Sequence, residues 1–148
     1  ALASTTMASV ARSAPSRSVA VLLAPALLRQ ARLCHDHLGG EMAAALYQRM
    51  VLAKWIERFE QRIHVTPLGA RHLAEHGIFT QALAHQSYAT MACDCYDWSE
   101  QQPHLGGALG AGLLQLFMQS RWLQTISESS ALQVTETGRL EIARMAAV

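Results

Sequence analysis

The chain has 148 residues, of which 51% are hydrophobic and 16% are charged, and its formal net charge is +1. This composition suits a single well-buried globular domain and argues against intrinsic disorder. No apolar run approaches the roughly 18 to 20 residues that a membrane-spanning helix needs, so no membrane partner is expected. A net charge this close to zero does not indicate a polyanionic partner.

Residues 1–24 are predicted to form an alanine-rich helix and a short linker around residues 12–18 (RSAPSRS). The chain has no acidic residue before Asp36, and an acid-free start that carries arginine and serine also occurs in transit peptides. The chain begins at Ala1 without an initiator methionine, which is consistent with a fragment of a longer protein. An odd number of cysteines without secretory features favours a reducing cytoplasm.

The rest of the chain contains one sequence motif twice. The letters HLGG stand at residues 37–40 and again at 104–107, and each copy precedes an apolar stretch with helical spacing that ends in tryptophan. These tryptophans, Trp55 and Trp122, are predicted core anchors. The second copy carries a six-residue insertion, WSEQQP at residues 98–103, before its histidine.

Each tryptophan is followed by a pattern that predicts a β-hairpin, with turns near Glu60 and at residues 127–130. A V-T-x-x-G motif follows each hairpin, and its threonine, Thr66 or Thr135, is a good helix N-cap. In front of HLGG, each copy has the pattern C-x-D. We expect Cys34 and His37 to share a face of one helix, and the helix predicted to begin at Thr80 to continue to residue 98.

Each repeat therefore reads as helix, C-x-D, HLGG, apolar helix, hairpin and capped helix. The predicted fold class is mainly α with small β-hairpins (α+β), built from two tandem winged-helix-like halves related by internal duplication. The predicted boundaries are residues 1–24 for the N-terminal helix and linker, 25–78 for the first repeat and 79–148 for the second. Residues 25–148 are expected to form one compact domain.

Cysteine and histidine recur at equivalent places in the two repeats. If the repeats pack about a twofold axis, a Cys₂His₂ set can converge and bind zinc or another divalent metal. The aspartates of the C-x-D patterns would then be ligands or partners of the histidines. The spacing C-x₂-H…C-x₈-H is no standard zinc signature, so a small-molecule or redox effector and purely structural roles remain alternatives. The metal candidates are Cys34, His37, Cys95 and His104. The effector-binding candidates are Cys34, Asp36, His37, Cys95, Asp97, Trp98 and His104.

Three stretches, CHDHLGG, DWSEQQPHLGGALGAGLL and VTETG, closely resemble the C-terminal half of a subgroup of ArsR-type winged-helix (helix-turn-helix) transcriptional regulators. That subgroup typically has CYDHLAG, DWSERRPHLAGALGAAL and LTxxG, and the resemblance covers about residues 26–140. Gln101 and Gln102 replace the usual arginine pair, which puts an anion-binding role of that pair in doubt here.

The resemblance implies a cytoplasmic, homodimeric, DNA-binding repressor. In such regulators DNA is bound by an N-terminal winged helix, which is not evident in this chain. The chain is therefore expected to hold mainly the effector-sensing and oligomerisation region, with a metal or a small molecule as effector. The alternative is a standalone metal- or small-ligand-binding module without DNA binding.

The chain itself is not expected to read DNA bases. The two apolar helices are mostly alanine, leucine, glycine and methionine, with few of the side chains that contact bases and phosphates. Arg58, Arg62 and His64 on the first hairpin are predicted to form a solvated wing, with contact to DNA phosphates as the alternative. No nucleophile elbow, phosphate loop or H-E-x-x-H motif occurs, so no enzymatic activity is expected.

Overall fold

The computed structural model describes residues 25–60, 62–84, 90–96 and 102–147. Helices and short antiparallel strand pairs alternate in these segments, which confirms the predicted α+β class. The predicted N-terminal helix and linker, residues 1–24, lie outside the described residues. Among the helices that are described, none has the length and apolarity to cross a membrane.

The two repeats have the same order of elements. The first contains α1 (described over residues 25–30), β1 (Arg32–Cys34), β2 (His37–Gly39), α2 (Glu41–Leu52), β3 (Ile56–Phe59), β4 (Arg62–Val65) and α3 (Pro67–Glu75). The second contains α4 (Thr80–Ala84), β5 (Cys93–Cys95), β6 (His104–Gly106), α5 (Gly107–Gln119), β7 (Leu123–Thr125), β8 (Leu132–Val134) and α6 (Glu136–Arg144). The hairpins β3–β4 and β7–β8 lie where the sequence predicts them, and we call them the wings.

The segment around the first C-x-D is a β-hairpin and not the end of a helix. β1 pairs antiparallel with β2, Cys34 is opposite His37, and His35 lies in the turn with φ of 58°. The prediction that Cys34 and His37 share a helix face is therefore wrong. Strands of three residues are too short to show a period of two, so their apolar residues fitted the helical pattern of α1 by chance.

The second repeat has the same hairpin. β5 pairs antiparallel with β6, and Cys95 is opposite His104. The helix predicted to begin at Thr80 is described as far as Ala84, and Cys93 and Cys95 belong to a strand, so their helical assignment is wrong. We call β1–β2 and β5–β6 the Cys/His hairpins.

The wing of the first repeat pairs with the Cys/His hairpin of the second. Arg62 of β4 is opposite Cys93 of β5, and the amide of Ile63 donates to the carbonyl of Ala92 at 3.4 Å. This contact joins β3, β4, β5 and β6 into one four-stranded sheet. The sheet therefore contains strands from both repeats.

The wing of the second repeat makes the equivalent contact with the first. Arg32 of β1 forms a bridge with Ala131, and the amide of Leu132 donates to the carbonyl of Ala31 at 3.0 Å. These positions are the repeat equivalents of those in the first contact. Each repeat therefore pairs its wing with the Cys/His hairpin of the other repeat.

The V-T-x-x-G motif closes each repeat through backbone contacts. The Thr66 hydroxyl oxygen accepts a hydrogen bond from the Gly69 amide at 2.9 Å, and Thr135 does the same for Gly138 at 3.0 Å, so both predicted N-caps are confirmed. A Cβ at Gly69 would lie 2.0 Å from the carbonyl oxygen of Trp55. The glycine is required because the first turn of the helix lies directly against that carbonyl.

The core lies between the repeats. α2 packs against β6 of the other repeat, α5 packs against β2, and β2 lies beside β6. Trp55 is buried, whereas Trp122 is partly buried against the core. The largest fully buried side chains are those of Phe117, Met50, Ile56, Leu73, Leu109, Leu123, Ile142 and His104.

Candidate metal centre

Four potential ligands converge where the two Cys/His hairpins meet. One side-chain nitrogen or sulfur from each of Cys34, His37, Cys95 and His104 lies within 4.8 Å of every other. The two Sγ atoms are 3.9 Å apart, and the two Nε2 atoms are 3.2 Å apart. Both histidines are buried, and both cysteines are partly exposed. Each repeat supplies one cysteine and one histidine.

The pairing register explains how each hairpin contributes two groups. Residues directly opposite each other in an antiparallel pair project to the same face, with Cβ atoms about 4.5–5.5 Å apart. Cys34 and His37 are such a pair, and so are Cys95 and His104. A Cβ at Gly106 would lie 3.4 Å from the His37 ring, which places the backbone of β6 directly beside the histidine of the other hairpin.

An aspartate of the first C-x-D orients one histidine. Asp36 Oδ1 lies 3.1 Å from His37 Nδ1, and the aspartate side chain is half exposed. An Nδ1–H that donates to this carboxylate leaves the Nε2 lone pair directed at the other members of the cluster. Asp36 therefore stands behind a candidate ligand, where it can set the tautomer.

The remaining predicted effector residues, Asp97 and Trp98, lie outside the described residues. Of the inserted segment, the structure describes only Gln102 and Pro103, and the Gln102 side chain accepts a hydrogen bond from the Gln48 amide group. The prediction that the insertion contributes to an effector site stays a prediction.

A cleft of about 380 Å³ opens beside the sulfur side of the cluster. Both C-x-D segments contribute to its wall, which gives the thiols a route to solvent. The lining residues are Leu28, Arg32, Leu33, Cys34, His35, Cys95, Tyr96 and Ser130. The cleft lies between the repeats, because its two walls come from β1 and β5 and the residues next to them.

Cys93 is close to the cluster but does not belong to it. It precedes Cys95 by two residues on β5, so the two side chains share a face of the strand. Burial raises the pKa of the Cys93 thiol, and the negative charges of Asp94 and Asp36 raise it further. The protonated thiol therefore prevails at neutral pH, which makes Cys93 a poor nucleophile.

A polar contact that no sequence pattern predicts lies on the opposite face of β5. Asp94 is almost buried, accepts a hydrogen bond from the Tyr47 hydroxyl at 2.5 Å, and forms an ion pair with Arg58 at 2.6 Å. Burial and the hydrogen bond to Asp94 raise the pKa of Tyr47 well above its usual range. Arg58 is exposed on the first wing, and its guanidinium is bound to this carboxylate.

Arg49 is the arginine of α2, and it is directed at α6 of the other repeat. Its Nε donates to the Met145 carbonyl at 3.0 Å and its Nη2 to the Ile142 carbonyl at 2.6 Å. Burial lowers the pKa of the guanidinium without neutralising it. Arg49 therefore caps the end of a helix in the second repeat.

The chain is similar to the uncharacterized HTH-type transcriptional regulator YdfF of Bacillus subtilis, with 30% identity over 113 residues. The aligned region is 76% of this chain and 50% of that protein, so the chain spans about half the length of the curated relative that it matches. No family model matches the chain, and no solved structure matches it. This similarity supports a relationship to helix-turn-helix transcriptional regulators.

Proposed function

We propose that the chain is the effector-sensing and oligomerisation region of an ArsR-type, DNA-binding transcriptional repressor that acts as a homodimer. The observation that carries the proposal is the similarity to an HTH-type regulator over 76% of the chain. The aligned region is half of that relative, which leaves room in a regulator of similar length for a separate DNA-binding module. In this proposal an N-terminal winged helix outside the chain binds the operator.

The burial of α2 and α5 supports a regulatory role for the chain. In a winged-helix protein the helix before the wing presents arginine, lysine, asparagine or glutamine to the major groove. Here both helices bury small and apolar residues against the other repeat, and the arginine of α2 is bound to α6. α5 contains no charged residue between Gly107 and Gln119. The two helices are suited to packing and not to base recognition.

The position of the cysteine–histidine cluster supports effector sensing. Its ligand atoms come from both repeats, so a bound effector would contact both Cys/His hairpins at once. A ligand shifts a conformational equilibrium only by as much as it binds one state better than the other. An effector held by both hairpins would bind the packed state better than a state in which the hairpins separate, because separation would remove half of its ligands.

DNA binding by the complete gene product tests the proposal. Fluorescence anisotropy with promoter DNA of its own operon should show binding that weakens steeply between about 50 and 200 mM salt. The isolated chain, residues 1–148, should show no such binding under the same conditions. Absence of salt-dependent binding by the complete protein, with and without metal, would rule out the regulator.

A standalone metal- or ligand-binding module is the second candidate. The observation in its favour is that all four members of the cluster lie within this chain. The complete gene product would then bind no DNA but keep its ligand. Light scattering on the complete protein addresses the proposed homodimer separately, and a monomer at micromolar concentration would contradict that part.

A further inference from the structure

We propose that Cys34, His37, Cys95 and His104 form a tetrahedral site for Zn²⁺ that joins the two repeats. The site takes two ligands from each Cys/His hairpin, one thiolate and one imidazole. It stands whether or not the chain belongs to a transcriptional regulator, because it rests only on the geometry of the chain.

Two distances within the cluster agree with edges of a tetrahedral zinc site. Zinc binds thiolate sulfur at about 2.3 Å and imidazole nitrogen at about 2.0–2.1 Å, and a tetrahedron edge is about 1.63 bond lengths. The expected separations are therefore about 3.8 Å between two sulfurs and about 3.3 Å between two nitrogens. The observed separations are 3.9 Å and 3.2 Å. The sulfur pair and the nitrogen pair thus already have the required spacing, and all four ligand atoms lie within 4.8 Å of one another.

The chemistry of the donors selects the metal. Two thiolates and two imidazoles in tetrahedral array suit Zn²⁺, whereas Mg²⁺ and Ca²⁺ prefer six or more oxygen ligands. The Asp36 carboxylate beside His37 Nδ1 is the usual outer partner of a zinc-bound histidine. It raises the basicity of the imidazole and fixes the ring so that Nε2 faces the metal.

A hydrogen bond between the imidazoles is the competing explanation of the short nitrogen–nitrogen distance. Two neutral rings with Nε2 atoms at 3.2 Å can share one proton between them. That arrangement accounts for the histidines, and a separate weak thiol hydrogen bond between the two Sγ atoms at 3.9 Å would be needed for the cysteines. The metal accounts for all four groups, including the approach of two sulfurs from different repeats.

All four coordination positions would be filled by protein groups, which is typical of structural zinc. The free energy of metal binding would then contribute to the association of the two repeats, because neither repeat can supply four ligands alone. The cleft on the sulfur side gives metal and chelators access to the thiolates. We therefore expect the metal to be removable without denaturant.

The first experiment measures metal in the wild-type chain, purified without a histidine tag and kept reduced. Elemental analysis should give about one zinc per chain. After removal of zinc by a chelator, addition of Co²⁺ should produce the visible absorption of tetrahedral cobalt together with thiolate-to-cobalt charge transfer. Zinc should abolish both signals at one equivalent. This readout needs no variant, so it stands even where a substitution prevents folding.

The second experiment compares three serine variants. Cys34→Ser and Cys95→Ser should each lower zinc content at least tenfold and remove part of the charge-transfer band, because each deletes one thiolate. Cys93→Ser is the matched control, since it removes a thiol from the same strand face outside the cluster, and it should keep one zinc per chain.

Two results would overturn the site. A folded wild-type chain that holds no zinc and gives no tetrahedral cobalt spectrum would leave only the hydrogen-bonded histidine pair. Loss of zinc in Cys93→Ser, with retention in Cys34→Ser, would show that the ligand set is wrong. Neither result depends on DNA binding, so failure of the zinc site and failure of the regulator are distinguishable.

Discussion

Gly110 and Gly112 lie two residues apart on α5, and we expect their replacement by alanine to have opposite effects on stability. A Cβ at Gly110 would lie 2.4 Å from the Leu105 carbonyl oxygen and 3.2 Å from the Cβ of His37. Backbone atoms cannot move aside as a flexible side chain does, so α5 would have to shift away from β6. A Cβ at Gly112 would meet only the Leu83 side chain, at 3.5 Å and 3.7 Å, which is ordinary contact.

The magnitudes follow from these contacts. Alanine is better than glycine inside a helix by about 0.5–1 kcal/mol, so Gly112→Ala should stabilise the chain by roughly that amount. Overpacking a core typically costs about 1–3 kcal/mol, and Gly110→Ala should be near the upper end because its neighbour is backbone. After the helix gain is subtracted, a loss of about 2 kcal/mol remains. The two variants should therefore differ by about 3 kcal/mol, or roughly 6–12 °C in Tm for a chain of about 150 residues.

Urea denaturation followed by circular dichroism, at a fixed metal content, measures both free energies of unfolding. The slope against urea should be unchanged, since neither substitution alters the surface exposed on unfolding. Gly110→Ala with the stability of the parent would refute the close approach of α5 to β6. The repeat equivalent of Gly110 is Ala43, so that result would mean that α5 can take the position that α2 has in the first repeat.

Substitutions at four further positions test other contacts by urea denaturation. Asp94→Ala should lose about 1–3 kcal/mol because it leaves the Tyr47 hydroxyl without its acceptor. Arg58→Ala should lose less than Asp94→Ala because the arginine side chain is exposed and its ion pair is screened by solvent, and equal losses would contradict this account. Thr135→Ala should lose about 1 kcal/mol with the N-cap of α6, whereas Thr135→Ser, which keeps the oxygen, should lose much less. Arg49→Met should lose about 1–3 kcal/mol because the Met145 and Ile142 carbonyls each lose a hydrogen bond from the guanidinium, although Ile142 keeps the Met145 amide as a donor. An unchanged stability would show that water replaces the guanidinium.

The sequence predicts the parts of the fold that depend on local signals. Both wings, both threonine caps and the apolar helix before each wing follow from turn residues, capping residues and the repeat itself. The repeat predicts that cysteine and histidine converge if the two halves pack about a twofold axis, but it does so for an incorrect local reason. The spacing predicts Cys34 and His37 on one helix, yet they meet across a hairpin, where opposite residues share a face just as helical neighbours do.

The sequence does not predict the contacts that one repeat makes with the other. β1 and β5 are strands partly because a wing from the other repeat pairs with each of them, and no local pattern carries that information. Asp94 stands between two cysteines, and nothing near it in sequence indicates Tyr47 or Arg58 as partners. Arg49 likewise finds its acceptors more than ninety residues away. These are tertiary effects that override local preference.

The pairing of each wing with the other repeat has a consequence for how the cysteine–histidine cluster assembles. A polypeptide with one repeat would need a second copy to complete its sheet, and formation of the site would then depend on protein concentration. Joining two copies in one chain makes the same encounter intramolecular, at an effective concentration of the order of millimolar. Assembly of the cluster thus becomes independent of how much protein is present. The covalent link also lets the copies diverge, so that one can gain an insertion while the four converging side chains are kept.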